Sequence, residues 1–329
     1  MPLAPRLESG RAIGFESRRL RRPFRAPSRN QTAQQTGRRR RLSGLSIAVV
    51  AISTMASPTA RALVIATPSG VIAPVVRTTA AGYLVRTPCG STAIVAFGTP
   101  LGRPVVVLDP GHGGDEQGAI GPTGLEEKAV NLAVAQAAQR ALEGSGYPTV
   151  LTRTGDYRIT LSSRAAIVNA LRPRLFVSIH HNADPDGPRG GPGTETYYRL
   201  RSKPSRRLAG LVYEYLTSAL TSFDAAWVGD TDAGAKVRVG RDGHDYYSVL
   251  RNAKVPAVLV EAAFITNASE EQLLARADVQ RAEGEAIARA IIRSFTTSEP
   301  GRGFVDAYPR NKNAGLGGGG GGCVDPSLA

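Results

Sequence analysis

The stretch that most constrains this chain is Val105-Val106-Val107-Leu108-Asp109-Pro110-Gly111-His112-Gly113-Gly114. Four consecutive apolar β-formers make a short buried strand, and Pro-Gly breaks it, so His112 is left on a glycine-rich turn at the strand's end. A helix-like run opens at Glu127 (Val130, Leu132, Ala133, Val134, Ala137, Ala138, Ala141). Its carboxylate therefore sits at a helix N-terminus, where negative charge is favoured. A second apolar strand over 175–180 ends in His180, with His181 and Asn182 next, and a further one over 256–261 ends in Glu261. Strand ends on one edge of a parallel sheet converge. Two histidines and a glutamate are a known ligand set of catalytic zinc, and Glu261 is then the natural general base.

Each residue also has a plainer reading. His112 alone would be a structural histidine, and it is the company of Glu127 and His180 that turns the reading towards metal. Glu126 competes with Glu127 for the ligand role. His181 should face away from His180 if the strand continues, which makes it a neighbour of the ligands or a substrate contact instead of a ligand. Asp109 and Asn182 are candidates to orient an imidazole through its second nitrogen, against the alternative of turn residues bonding their own backbone. His244 stands between a surface position and a substrate contact.

Charge narrows the partners. The net +14 is concentrated in residues 1–62, which hold 13 Arg against 2 Glu, so residues 63–329 carry only +3. A duplex-binding protein needs a basic face on its folded domain, and nucleic acid is accordingly not expected as a partner. Residues 1–62 instead read as a disordered basic segment and an export signal: basic residues through Arg41, an apolar run over 42–56, and Ala60-Arg61-Ala62 as a cleavage pattern. The apolar run is too short for a membrane anchor, which needs about 20 residues, so no stable membrane insertion is expected after cleavage. Arg40-Arg41-Leu42-Ser43 loosely resembles a twin-arginine signal, and general or twin-arginine export both stay open.

Residues 63–102 show short β-like runs at 71–76, 83–86 and 93–97 punctuated by Gly and Pro. They predict a small two- or three-stranded appendage that leans on its neighbour. Residues 103–298 alternate: strands at 148–153, 175–180 and 194–199, helices at 161–171 and 206–220, and a capping box at Ser269-Glu270-Glu271-Gln272 opening the last helices. The expected fold class is α/β, a mostly parallel twisted sheet with helices on both faces and its site at the carboxyl edge. The run 223–247 reads as a long loop, and 299–329 as a Gly/Pro-rich tail with a flexible linker at 317–322.

The quoted motifs, DPGHGG, LEEKAVNL, SIHHNA and PAVLVEAAFITN, resemble in type and order those of the zinc-dependent N-acetylmuramoyl-L-alanine amidases, over roughly residues 104–295. The resemblance implies one Zn²⁺ held by His112, Glu127 and His180, with Glu261 as catalytic acid/base. It implies hydrolysis of the amide between N-acetylmuramic acid and L-alanine in peptidoglycan, by a protein secreted into the cell envelope. It also favours Glu127 over Glu126, because Glu127 directly precedes Lys128. Ala263, where the family usually has Gly, and the extra His181 depart from the pattern without removing a catalytic group. A zinc peptidase or deacetylase acting on another cell-wall amide, and an inactive wall-binding module, are the rival readings. The two cysteines, Cys89 and Cys323, have no metal or redox spacing. In an oxidising compartment they are expected to pair, the glycine-rich linker giving the slack to do so.

Overall fold

The computed structural model describes residues 64–184, 190–229, 233–307 and 322–329, so the export signal expected in residues 1–62 lies outside the described residues, as does most of the glycine linker. All described residues belong to one compact unit. Among them, no helix is long and apolar enough to cross a membrane.

The main sheet has six strands: β6 (Val106–Pro110), β7 (Thr149–Leu151), β8 (Leu175–Asn182), β9 (Glu195–Tyr198), β10 (Gly234–Lys236) and β11 (Ala257–Phe264). Their order is β10-β9-β11-β8-β6-β7. Every neighbouring pair is parallel except β9 with β11. The side chains alternate across it. Val106, Leu108, Val177, Ile179, Val258 and Val260 face one side and meet α1 (Glu127–Gly144), α3 (Lys203–Leu220) and α6 (Ala277–Thr296). Val107, Phe176, Ala257 and Leu259 face the other and meet α2 (Leu161–Leu171) and α4 (Ser248–Asn252). With both faces covered, the first residues of the central strands are an apolar run, as in parallel strands buried on both sides, and the polar residues follow towards their carboxyl ends.

Three expectations need correction. The run 223–247 is not an uninterrupted loop: Gly234–Lys236 pairs with β9 as β10, a strand of three residues that is too short to show a period. The expected capping box at Ser269 does not form. Asn267 caps α5 (Ala268–Leu274) by accepting from the Ser269 and Glu270 amides, while the Glu271 carboxylate reaches the Thr123 and Leu125 amides. The N-terminal appendage has five strands, not two or three: β1 (Val64–Ala66), β2 (Ile72–Thr79), β3 (Gly82–Arg86), β4 (Thr92–Val95) and β5 (Thr99–Pro100), in the order β4-β3-β2-β1-β5.

That small sheet has a modest core of Ile65, Ala73, Val85 and Val95, while Val64 and Ile72 pack into the α2 side of the main domain. The C-terminal residues close it. Cys89 is disulfide-bonded to Cys323 across 234 residues of sequence. Beside the bond, the Cys89 amide donates to Asp325 Oδ1 at 2.7 Å, Ser69 Oγ donates to the Ser327 carbonyl at 2.6 Å, and Leu328 packs on the small core. A cross-link that closes so long a loop restricts the unfolded chain strongly. Replacing both cysteines by Ser is expected to lower the unfolding free energy by about 3–5 kcal/mol in denaturant titrations. Two free thiols in the unreduced, denatured protein would show that the bond does not form.

Candidate metal centre

β6 delivers His112 through a turn that only specific residues permit. His112 itself has a left-handed backbone (φ 59°), and Gly113 follows at φ 134°. That conformation costs a non-glycine residue energy, and here it is held by arginines. Arg164 Nη2 donates to the His112 carbonyl at 2.6 Å and Arg153 Nη2 to the Gly111 carbonyl at 2.9 Å. Gly111 must lack a side chain because a Cβ there would lie 2.1 Å from His180 Cε1.

Glu127 is the centre of the arrangement. Its Oε2 faces His112 Nε2 at 3.1 Å and its Oε1 faces His180 Nδ1 at 3.0 Å. One ligand atom from each of the three residues lies within 4.8 Å of the others. The carboxylate also accepts from the Ala119 amide at 2.8 Å, the His181 amide at 3.2 Å and Asn131 Nδ2 at 3.1 Å. Burial would raise the Glu127 pKa, yet the two histidines bring it well below the usual carboxylate range. Burial opposes a charged His112, but Glu127 and Glu116 outweigh it and lift the imidazole to about 9, whereas burial leaves His180 lowered. An ionised carboxylate between two imidazoles whose ring nitrogens point inward suits a divalent cation. The donor set is His₂Glu, and loading it would release the His112 proton.

Glu261 lies one strand away, in register with His180 on β8 and with Glu195 on β9. Burial, then the charges of Glu127 and Glu195, raise its carboxyl well above the usual range. A carboxyl that holds its proton readily, beside a candidate cation site, has the character of a proton carrier.

The remaining sequence candidates are placed as follows. Glu126 is not in the cluster; it contacts Gln117 and Lys128 at the surface. Asp109 does not orient an imidazole. It is fully buried and accepts from Arg164 Nη1 at 2.6 Å, Thr152 Oγ1 at 2.5 Å and Ser178 Oγ at 2.8 Å. Asn182 donates to Glu195 Oε2 at 2.6 Å instead of to a histidine. His181 does face away from His180, between α1 and α6, where Nδ1 meets Asn131 Oδ1 at 2.8 Å and Nε2 meets Glu283 Oε2 at 3.1 Å. Through Asn131 it backs the candidate ligand Glu127. His244 is exposed on a turn, its amide donating to Asp242 Oδ1. Sequence reasoning missed Glu116, which meets His112 Nδ1 at 3.0 Å, along with Asn131, Arg153, Arg164 and Glu283. Only Glu116 (four residues from His112) and Asn131 (four from Glu127) carried a local signal, their spacing.

Comparison with known proteins places the chain beside cell-wall amidases. The family described as N-acetylmuramoyl-L-alanine amidase matches residues 106–293. The chain is 33% identical over 231 residues to the N-acetylmuramoyl-L-alanine amidase AmiC of Neisseria meningitidis, covering 61% of this chain and 55% of the relative. It is 32% identical over 222 residues to the amidase AmiA of Escherichia coli K12, covering 59% and 77%. Among solved structures it is similar to the amidase AmiC2 of Nostoc punctiforme, with a TM-score of 0.50, 32% identity and coverage of 60% of this chain and 99% of that one. The chain thus spans little more than half the length of the Neisseria relative.

Gly118 tests the geometry. A Cβ at this left-handed position (φ 76°) would lie 2.5 Å from Glu127 Oε2 and 2.7 Å from His112 Cδ2. Gly118→Ala is expected to push both groups apart and weaken zinc uptake roughly 10- to 100-fold, the scale for disturbing the surroundings of a ligand. Competition with a chromophoric chelator measures this, and unchanged affinity would mean that the three residues do not share a metal.

Proposed function

The chain belongs to the N-acetylmuramoyl-L-alanine amidase family, and from that premise we propose that it hydrolyses the amide joining N-acetylmuramic acid to L-alanine in peptidoglycan, as a zinc enzyme of the cell envelope. The observation that carries the reading is Glu127 clasped between His112 and His180 with Glu261 on the adjacent strand. The export-like segment 1–62 and the Cys89–Cys323 bond support an oxidising compartment outside the cytoplasm. We assign catalysis to residues 103–298, with 63–102 as a buttress and 299–329 as a Gly/Pro-rich tail whose residues 323–328 are held against it.

His112, Glu127 and His180 would hold the ion. When bound, zinc supplies Lewis acidity, making water more acidic and polarising the scissile carbonyl. The chain does the rest. Glu261 accepts a proton from the attacking water and passes it to the amide nitrogen, so that the amine leaves neutral. Its raised affinity for protons favours the first of these two transfers. Glu116 and the Asn131–His181–Glu283 chain fix the orientation of the ligands and do not enter the chemistry.

Two outcomes test the reading on purified peptidoglycan with the full chain. Chelation should abolish release of peptides beginning with L-alanine while circular dichroism shows the domain still folded, because the sheet is buried by apolar strands independently of the site. Unfolding on chelation would make the metal structural. Glu261→Gln should keep stoichiometric zinc but lose about two or more orders of magnitude in rate. Near-normal turnover would move the proton carrier elsewhere, and release of acetate or single amino acids would identify a different amide.

A further inference from the structure

On the side of Glu261 away from the metal ligands, the sheet builds a second polar wall. Glu195 and Tyr197 of β9 and Lys236 of β10 share one face with Glu261, being in register with it or two residues along. Lys236 Nζ is committed to Glu195 Oε1 at 2.5 Å, and Tyr197 Oη donates to Glu195 Oε2 at 2.9 Å. Tyr247, leading into α4, sets its ring 4.8 Å from that of Tyr197 at a tilt of 54°. It carries the wall outwards to Arg238.

Arg238 is held but not neutralised. Its guanidinium lies 3.8 Å over the Tyr246 ring and its Nη1 donates weakly to Tyr247 Oη at 3.4 Å. Tyr246 and Tyr247 are themselves packed edge to face at 5.3 Å, so the cation rests on a rigid aromatic corner. Among the described residues no carboxylate lies within ion-pair distance of it. The side chain is only half-buried. Its guanidinium also lies 5.7 Å from the Tyr247 ring, which meets Tyr197 on the strand next to that of Glu261, so the group borders the Glu261 side of the site. An arginine fork that is fixed by stacking, retains unused donors and borders the site is the form in which proteins present a carboxylate receptor.

Resting on the amidase reading, we infer that Arg238 binds a free carboxylate of the substrate's peptide, within a residue or two of the scissile amide. The choice of the peptide over the glycan follows from the chemistry. Glu261 must deliver its proton to the leaving nitrogen, so the leaving group lies on the Glu261 flank. Arg238 stands on that same flank, beyond Glu261 from His180. The zinc ligands occupy the opposite side, where no cation of this kind faces the site among the described residues.

The test uses two soluble muramoyl peptides that differ in one group: the α-carboxyl of the second peptide residue is free in one and a primary amide in the other. The wild-type chain should favour the carboxylate by roughly 10- to 100-fold in kcat/KM, the range expected for hydrogen bonds to a charged group, mainly through KM. In Arg238→Gln that preference should fall to about one, and in Arg238→Lys it should be intermediate, since the charge remains while the fork is lost. Zinc content and melting temperature report on whether each variant folds. A wild-type chain without the preference, or an Arg238→Gln protein that keeps it, overturns the inference. Failure of the wild-type chain to cleave the muramoyl amide in either peptide would instead overturn the amidase reading beneath it.

Discussion

The buried pair of Asp109 and Arg164 decides whether the first histidine is presented at all. Asp109 closes the apolar run of β6 with no exposed surface, and burial alone would raise its pKa; Arg164, Thr152 and Ser178 outweigh that and keep it ionised. The anchored guanidinium then turns outward, to the Pro110 carbonyl at 2.7 Å and the His112 carbonyl at 2.6 Å. Arg153 adds the Pro110 and Gly111 carbonyls. Backbone acceptors that a broken strand would leave unsatisfied are thus taken up by two arginines. The cost of burying the charges is offset only because every partner is present; loss of one member of such a pair typically costs about 3–5 kcal/mol. Asp109 therefore serves the candidate site through the backbone of its ligand, two residues removed from any imidazole.

A second constraint is electrostatic. Glu127, Glu261 and Glu195 are drawn together by the start of α1, by β11 and by the first residue of β9, and like charges in a buried space oppose one another. The structure resolves this unequally. Glu127 is stabilised as an anion by two imidazoles and two backbone amides, and Glu195 is paired with Lys236 and bonded by Asn182 and Tyr197. Glu261, which has no such partner among the described residues and is flanked by both, has its pKa raised by burial and by those two charges. Three similar side chains acquire different chemical characters from their surroundings alone.

How far this was legible in sequence depends on the range of the interactions. His112, His180 and Glu261 were legible because each follows an apolar strand, and strand ends of a parallel sheet share an edge. Glu127 was legible as a helix start, its preference over Glu126 coming from family pattern and not from physics. The helix at 161–171 has the same bounds in the structure, since its periodic run is flanked by Thr160 as cap and Arg172 in the left-handed region. Illegible parts share a cause: their partners are distant in sequence. Arg164 reaches Asp109 across 55 residues and Glu283 reaches His181 across 102, spacings for which no local pattern exists. β10 and β1 are too short to show alternation and become strands only because neighbours supply the pairing. At α5 two candidate caps compete, and Asn267 takes the role, its side chain accepting from the Ser269 and Glu270 amides.

The N-terminal sheet and the C-terminal residues belong to the same argument, although they contain none of the candidate ligands. The turn at Gly70 accepts from Thr154 Oγ1 at 2.8 Å, and the turn before Cys89 offers the Thr87 carbonyl to Ser163 Oγ at 3.2 Å and the Pro88 carbonyl to the Thr160 amide at 3.0 Å. These contacts fall on the segment between β7 and the first turn of α2. That segment also carries Tyr157, whose carbonyl would sit 2.2 Å from a Cβ on Gly113, and it ends in Arg164. The small sheet thus braces a stretch of the main domain that packs against the His112 turn and supplies one of its anchors, Arg164. A sheet of this size has little core of its own. The Cys89–Cys323 bond, with Asp325 on the Cys89 amide and Leu328 on the core, supplies from the far end of the chain the stiffness that the sheet lacks.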